Sequence, residues 1–244
     1  MAVIFDMDGV LVDTEPMYVE VTWRVLKQHG ATEERAGLYR YVGISAPKMW
    51  AELKSMHALS PSVAELVAEE RHAQHTAINN VGSLKPMPGI PELLCQLRDG
   101  GVKIALASSS SGTLITSVLF SIGLTDFFPI VVSGEDVENG KPAPDIFLKA
   151  AALLDCSPAS CVVVEDSPHG LAGACAAGMI GIGYRNAGSG NQCLEGADVA
   201  IDAFGSSERD CILDMAKLAQ YGARSDALGR ATQLRSYASN GVVF

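Results

Sequence analysis

The sequence predicts an α/β fold, a doubly wound parallel sheet with a helical insertion after the first strand. Short apolar runs bounded by polar or glycine residues are typical of buried parallel strands, and there are five of them: "AVIF", "VKIALA", "PIVVS", "CVVVE" and "IGIGY". Helical patterns separate the later runs, and strand–helix repeats of this kind form right-handed βαβ units. We therefore expect a Rossmann-like core whose ligands bind at the carboxyl ends of the strands.

Each predicted helix of the core has a recognisable pattern. The four segments are "GIPELLCQLRDGG", "GTLITSVLFSIGL", "APDIFLKAAALLD" and "PHGLAGACAAGM". In the first of them Pro91 lies early and Gly100 acts as a stop, as expected at the two ends of a helix. The first four strands each deliver a polar residue at their carboxyl end, which makes that edge of the sheet the place to look for a site.

Residues 15–85 break the strand–helix rhythm, because they show helical spacing and no clear strand. The segments "VDTEP" and "GSLKPMPGI" at the edges of this region are rich in turn residues. We predict a core of residues 1–14 and 86–221, a helical cap domain at 15–85 that covers the site, and a C-terminal extension at 222–244. The extension is polar and weakly patterned, which fits a peripheral helix or a flexible segment.

Composition narrows the function. The chain has 244 residues, 48% of them hydrophobic, and a formal charge of −10 from 28 acidic and 18 basic residues. This charge opposes binding to nucleic acid or to anionic membranes, and no signal peptide or membrane span is evident. We expect a cytoplasmic protein, monomeric by default. Six scattered cysteines without a CxxC pair predict reduced thiols in the core rather than disulfides or zinc ligands.

The stretch "FDMDGVLVDT" places Asp6 and Asp8 directly after a buried strand. If the extended geometry continues, both carboxylates project to one side, about 6–7 Å apart. A divalent cation resolves the conflict between two close carboxylates, and Mg²⁺ favours carboxylate oxygens, water and phosphate. Helix capping by one acid is the structural alternative; it suits Asp13 better than the pair, and we expect Asp13 and Thr14 to cap the following helix.

Two further segments offer groups for an anion. "SSSSG" follows the second strand, where Ser108 and its neighbour Ser109 supply hydroxyl and N–H donors, although such runs are more often plain turns. In "NGKPAPDIF", Lys141 precedes a helix that begins with proline, and an acidic chain needs a local cation near a phosphoryl group. A lone lysine is usually solvated, so its value as a site residue depends on this context.

The fourth strand ends in Glu165 and Asp166, within "VVVEDSPHG". Adjacent acids after a buried strand favour metal coordination by one of them, with the other holding water or supporting the first. The neighbouring His169 is expected to be exposed or to cap a helix.

Together these four elements resemble the haloacid dehalogenase superfamily of phosphotransferases over residues 1 to about 200, in the branch with a helical cap. The resemblance implies that Asp6 is the nucleophile and Asp8 the general acid and base. It also implies that Ser108, Ser109 and Lys141 bind the phosphoryl group. Mg²⁺ would be held by Asp6, the backbone oxygen of Asp8, and Asp166, with assistance from Glu165.

The same branch contains β-phosphoglucomutases, which carry a histidine, an arginine and a lysine where this chain has Tyr18, Ala46 and Ser111. We therefore predict a Mg²⁺-dependent phosphatase acting on a small phosphorylated metabolite such as a sugar phosphate, through an aspartyl phosphate. The alternative is a β-phosphoglucomutase in which Lys48 replaces the missing arginine. A non-catalytic phosphate-binding protein ranks third.

Overall fold

The computed structural model describes residues 1–80 and 84–219, so the predicted extension at 222–244 lies outside the described residues. A six-stranded parallel sheet forms the centre, with the strand order β3-β2-β1-β4-β5-β6. Its strands are β1 (Ala2–Phe5), β2 (Lys103–Ser108), β3 (Ile130–Ser133), β4 (Cys161–Glu165), β5 (Ile180–Tyr184) and β6 (Val199–Ile201). The prediction of a doubly wound α/β fold is confirmed.

Helices cover both faces of this sheet. Those of the core are α5 (Ile90–Asp99), α6 (Gly112–Ser121), α7 (Asp145–Leu153), α8 (Pro168–Ala176) and α9 (Ser206–Ala219). Alternate residues of β1 serve the two faces: Phe5 packs in the cluster that includes α5, α6 and α9, whereas Ile4 packs in the cluster that includes α7 and α8. Strand β6 and helix α9 were not predicted from the sequence.

Four helices lie between β1 and α5 in the chain: α1 (Glu15–Gln28), α2 (Arg35–Leu38), α3 (Ala46–His57) and α4 (Val63–Asn80). They share a hydrophobic cluster of their own, in which Leu26, Trp50, Leu53 and Leu66 are fully buried. We call residues 15–80 the helical insertion. An apolar cluster separate from those of the sheet explains how this segment folds without adding a strand.

The cysteines follow the prediction only in part. All six are free, as expected, but Cys175 and Cys193 are exposed and only Cys161 and Cys211 are buried, so they are not uniformly core residues. Among the described residues, no helix combines the length and apolarity that a membrane crossing requires.

Candidate active site

The first predicted pair of acids lies at the carboxyl edge of the sheet, just before a sharp turn at Gly9. Strand β1 ends at Phe5, so the extended geometry does not continue through Asp8, yet both carboxylates line the same cavity. Gly9 has a φ of 81°, and a side chain there would collide with Asp166 and Ser189. Glycine is therefore required both for the left-handed turn and for the close approach of Asp166 and Ser189.

Asp8 is held by neutral hydroxyl groups. Its Oδ1 accepts a hydrogen bond from Thr14 Oγ1 at 2.6 Å, and its Oδ2 accepts from Ser110 Oγ at 2.7 Å and from Ser108 Oγ at 3.4 Å. Burial raises the pKa of Asp8, although the hydrogen bonds from Thr14 and Ser110 oppose that effect. The carboxyl group is thus fixed in orientation, in surroundings that favour its protonated form more than water does.

The expected capping role of Asp13 and Thr14 is wrong. Thr14 occupies the N-cap position of α1 but makes no side-chain capping bond, because its hydroxyl donates to Asp8 instead. Asp13 Oδ1 accepts a hydrogen bond from Asn186 Nδ2 at 3.1 Å. Both residues therefore support the site, which the local pattern before "TEP" did not indicate.

Lys141 lies between two carboxylates, as the need for a local cation suggested. Its Nζ is 2.5 Å from Asp6 Oδ1 and 2.6 Å from Glu165 Oε1, and it also donates to the carbonyl oxygen of Ala107 at 3.1 Å. Burial by itself would lower the pKa of Lys141, but the negative charges of Asp6 and Glu165 outweigh it and raise that pKa. Lys141 is therefore a permanent positive charge inside the site.

Glu165 is saturated with hydrogen bonds. Oε1 faces Lys141, while Oε2 accepts from the backbone N–H of Asp166 and from both the backbone N–H and the hydroxyl of Ser167, at 2.8–3.1 Å. A carboxylate with this many donors is a better support for neighbouring ligands than a ligand itself.

A polar chain that the sequence did not reveal orients Asp166. Ser189 Oγ donates a short hydrogen bond to Asp166 Oδ2, and Asn186 Nδ2 donates to Ser189 Oγ at 3.0 Å. Asn186 also donates to Asp13. The loop after β5 therefore links the segment that follows β1 to Asp166, which follows β4. Burial raises the pKa of Asp166 well above its usual range, and the charges of Glu165 and Glu15 add to the effect.

The donor set fits a divalent cation. Oxygen atoms of Asp6, Glu165 and Asp166 lie within 4.8 Å of one another, and all three side chains are buried. Burial raises the pKa of Asp6 to about 8, and the charge of Lys141 offsets this only partly. Five acids are buried at or beside this cluster, namely Asp6, Asp8, Glu15, Glu165 and Asp166, and a sixth, Glu70, is buried in the cavity wall. Lys141 is the one buried Lys or Arg side chain in the part of the chain described. Additional positive charge would relieve this imbalance.

The serine segment contributes more than the two residues predicted. Ser108 is buried and its hydroxyl accepts from the N–H of Ser110 at 3.1 Å, whereas the hydroxyl of Ser109 donates to the carbonyl of Gly43 in the helical insertion at 3.1 Å. Ser110, which had not been singled out, makes the shorter contact with Asp8. His169 is neither fully exposed nor a cap, since its Nδ1 lies 3.3 Å from the carbonyl oxygen of Val42.

A cavity of about 370 Å³ opens in front of Asp6 and Asp8, a volume suited to a small molecule. Its walls come from both the core and the helical insertion. The insertion supplies Glu15, Tyr18, Glu70 and Arg71 among others. Arg71 Nη2 lies 2.5 Å from Oε1 of Glu135, a core residue, so an ion pair joins the two walls.

A doubly wound sheet that gathers acids, a buried lysine and serines around a cavity at its carboxyl edge defines an enzyme site for an anionic substrate. A protein-family model described as "Haloacid dehalogenase-like hydrolase" matches residues 3–183 of the chain. The chain belongs to this family, which confirms the resemblance stated from the sequence.

Relatives agree with that assignment. The phosphorylated carbohydrates phosphatase of Thermotoga maritima is 33% identical over 207 residues, covering 82% of this chain and 93% of the relative. The β-phosphoglucomutase of Bacillus subtilis (strain 168) is 35% identical over 208 residues, covering 82% and 88%. A crystal structure of β-phosphoglucomutase from Clostridium difficile superposes with a TM-score of 0.77 at 25% identity, covering 91% of this chain and 99% of that one. The family description and the phosphatase relative support a hydrolase of the phosphatase type.

Proposed function

We propose that this protein is a Mg²⁺-dependent phosphatase that hydrolyses a small phosphorylated metabolite, similar to a sugar phosphate, through an aspartyl phosphate. The observation that carries the proposal is the contrast between the two acids of the first motif. Asp6 lies against Lys141 in the cation-fitting cluster, whereas Asp8 is held outside that cluster by neutral hydroxyl groups. This contrast supports nucleophilic attack by Asp6 and proton transfer by Asp8.

Each residue then has a role. Asp6 attacks phosphorus, Asp8 protonates the leaving oxygen and afterwards takes a proton from the attacking water, and Lys141 offsets charge on the phosphoryl group. Ser108 and Ser109 bind that group, with Ser110 orienting Asp8. Asp6, Asp166 and the backbone oxygen of Asp8 would hold Mg²⁺, and Glu165 would support them. The cation would supply charge neutralisation and alignment of the phosphoryl oxygens.

Hydrolysis is favoured over mutase chemistry by the cavity lining. Tyr18, Ala46 and Ser111, the positions where mutases of the branch carry basic residues, all line the cavity and none carries a positive charge. Lys48, the suggested replacement for the arginine, is exposed and is not among the lining residues. The β-phosphoglucomutase alternative therefore lacks its expected clamp for a second phosphate.

The helical insertion is proposed to act as the cap, with residues 15–85 inserted between core segments 1–14 and 86–221. Three contacts support this role because they join the insertion to the core beside the cavity: Arg71 with Glu135, Ser109 with Gly43, and His169 with Val42. Closure would exclude water from the aspartyl phosphate until the alcohol has left. A cytoplasmic monomer remains the simplest setting for such an enzyme.

The test is phosphate release from a panel of phosphorylated metabolites, with Mg²⁺ and with EDTA. We expect Mg²⁺-dependent release that Asp6→Asn reduces by at least about 10³-fold, while circular dichroism shows an unchanged fold and the exposed control Asp99→Asn stays active. No release from any panel member would refute the proposal. Conversion of β-glucose 1-phosphate to the 6-phosphate, primed by the 1,6-bisphosphate and faster than phosphate release, would make the protein a mutase instead.

A further inference from the structure

The wall of the cavity is acidic beyond the catalytic pair. Four glutamates line it, Glu15, Glu70, Glu135 and Glu138, in addition to Asp6 and Asp8. Arg71 is the one arginine or lysine in the cavity lining given by the described residues. A substrate that enters with its phosphate toward Asp6 therefore presents the rest of its molecule to carboxyl groups.

The positive charge of Arg71 is already engaged. Its Nη2 lies 2.5 Å from Glu135 Oε1, and the other oxygen of Glu135 accepts the backbone N–H of Gly112 at 3.1 Å. A second anionic group that approached Arg71 would lie beside the carboxylate of Glu135, which already balances the charge of the guanidinium. Among the described residues, the cavity lining thus offers no cation without a carboxylate partner for a second anion.

Groups that suit a neutral or amine-bearing ligand are available instead. Tyr18 is 8% exposed and lines the cavity, and its hydroxyl faces Asp8 and Thr14 but makes no hydrogen bond of normal geometry among the residues described. A buried hydroxyl left unpaired costs free energy, which a hydroxyl or amine on a ligand would recover. Glu70, on the insertion side, offers a carboxyl group whose donors among the described residues are the neutral Thr22 Oγ1 at 2.5 Å and Trp50 Nε1 at 2.8 Å.

We propose that the leaving group of the substrate carries no second anion, so that the enzyme acts on phosphomonoesters of neutral or amine-bearing polyols and not on bisphosphates or phosphorylated acids. This inference rests on the proposed phosphatase function. It identifies Tyr18 as a specificity residue and the Arg71–Glu135 pair as the element that excludes anionic leaving groups.

Matched substrates test the inference. Glucose 6-phosphate, glucosamine 6-phosphate and 6-phosphogluconate share a 6-phosphate, and glycerol 3-phosphate and 3-phosphoglycerate form a smaller pair. We expect kcat/KM at least about tenfold lower for the carboxylate member of each pair, as one like-charge contact in a partly buried site would produce. The kcat/KM for glucosamine 6-phosphate should equal or exceed that for glucose 6-phosphate. Added salt should narrow the differences in kcat/KM.

Two variants link the preference to the named residues. Glu135→Gln frees Arg71, so kcat/KM for 6-phosphogluconate should rise relative to glucose 6-phosphate, whereas the exposed control Glu92→Gln should leave the ratio unchanged. Tyr18→Phe should raise KM for the neutral substrates with little change in the thermal stability of the free protein, because its hydroxyl makes no hydrogen bond of normal geometry with the described residues.

p-Nitrophenyl phosphate separates the failure of this inference from failure of the proposed function. If Mg²⁺-dependent hydrolysis of that reporter is absent along with all others, the phosphatase proposal fails. If the reporter is hydrolysed but kcat/KM for the carboxylate substrates or fructose 1,6-bisphosphate equals or exceeds that for the neutral substrates, the substrate inference is wrong. The phosphatase proposal then stands. Rejection of every neutral polyol phosphate, with the reporter still hydrolysed, would also overturn the inference.

Discussion

Two buried acids in this molecule are stabilised in opposite ways. Asp6, at the carboxyl edge of the sheet, faces the ammonium group of Lys141 at 2.5 Å, whereas Glu70, in the helical insertion, is held by a threonine hydroxyl and a tryptophan N–H. Burial raises the pKa of both. The core thus accepts buried charge where the proposed reaction needs it, while the insertion buries its acid among neutral donors.

The largest expected effect comes from removing the cation of the first region. Lys141→Met leaves Asp6 and Glu165 buried without their shared partner, and breaking a buried ion pair in this way costs roughly 3–5 kcal/mol. We expect denaturant unfolding to show a loss of that size and phosphatase activity to vanish. Lys149→Met removes the cation of an exposed ion pair with Asp136. It should change neither the free energy of unfolding nor the phosphatase activity appreciably. Should Lys141→Met prove as stable as the original protein, the ion pairs would not be what stabilises Asp6.

The second effect concerns the polar chain that orients Asp166. Ser189→Ala removes the hydroxyl that bonds to Asp166 Oδ2, and loss of such outer partners typically weakens metal binding about 10–100-fold. Isothermal titration with Mg²⁺ should show this weakening, with the fold retained. The exposed Ser207→Ala should bind Mg²⁺ like the original protein. Equal Mg²⁺ affinity in both variants would show that Ser189 has no part in positioning the ligand.

The sequence predicted some strands and helices of the core and missed others. Buried strands are continuous apolar runs, so β1 to β5 and the acids at their ends could be placed. The three residues of β6 are too short to form such a pattern. Helix α9 could have been found, since Cys211, Ile212, Met215 and Ala219 recur at helical spacing and are buried.

The supporting residues of the site were harder to predict because they reach it across the fold. Ser189 and Asn186 belong to a loop more than 170 residues away from Asp13, and nothing local in "NAGSG" indicates the contact. Thr14 matched a helix-capping pattern, and only the turn at Gly9 brings its hydroxyl to Asp8. Glu70 lies in a charged stretch, "AEERH", that is typical of a solvated face, so its burial depends on how α4 packs against α1 and α3.

The smallest expected effect tests the neutral setting of Glu70. Because burial raises its pKa, the folded protein keeps a proton that the unfolded chain releases above the ordinary pKa. The resulting penalty to the free energy of unfolding is absent below that ordinary pKa, grows as the pH rises toward the raised value and is complete above it.

Glu70→Gln removes the ionisation and keeps groups able to bond Thr22 and Trp50. The free energy of unfolding of the variant should therefore increase relative to that of the original protein as the pH rises, by on the order of 1 kcal/mol. Urea unfolding at pH 5 and pH 8 measures the difference, with the exposed Glu92→Gln as control. A difference independent of pH would mean that Glu70 stays ionised in the fold, and that its two neutral donors are sufficient to hold a buried charge.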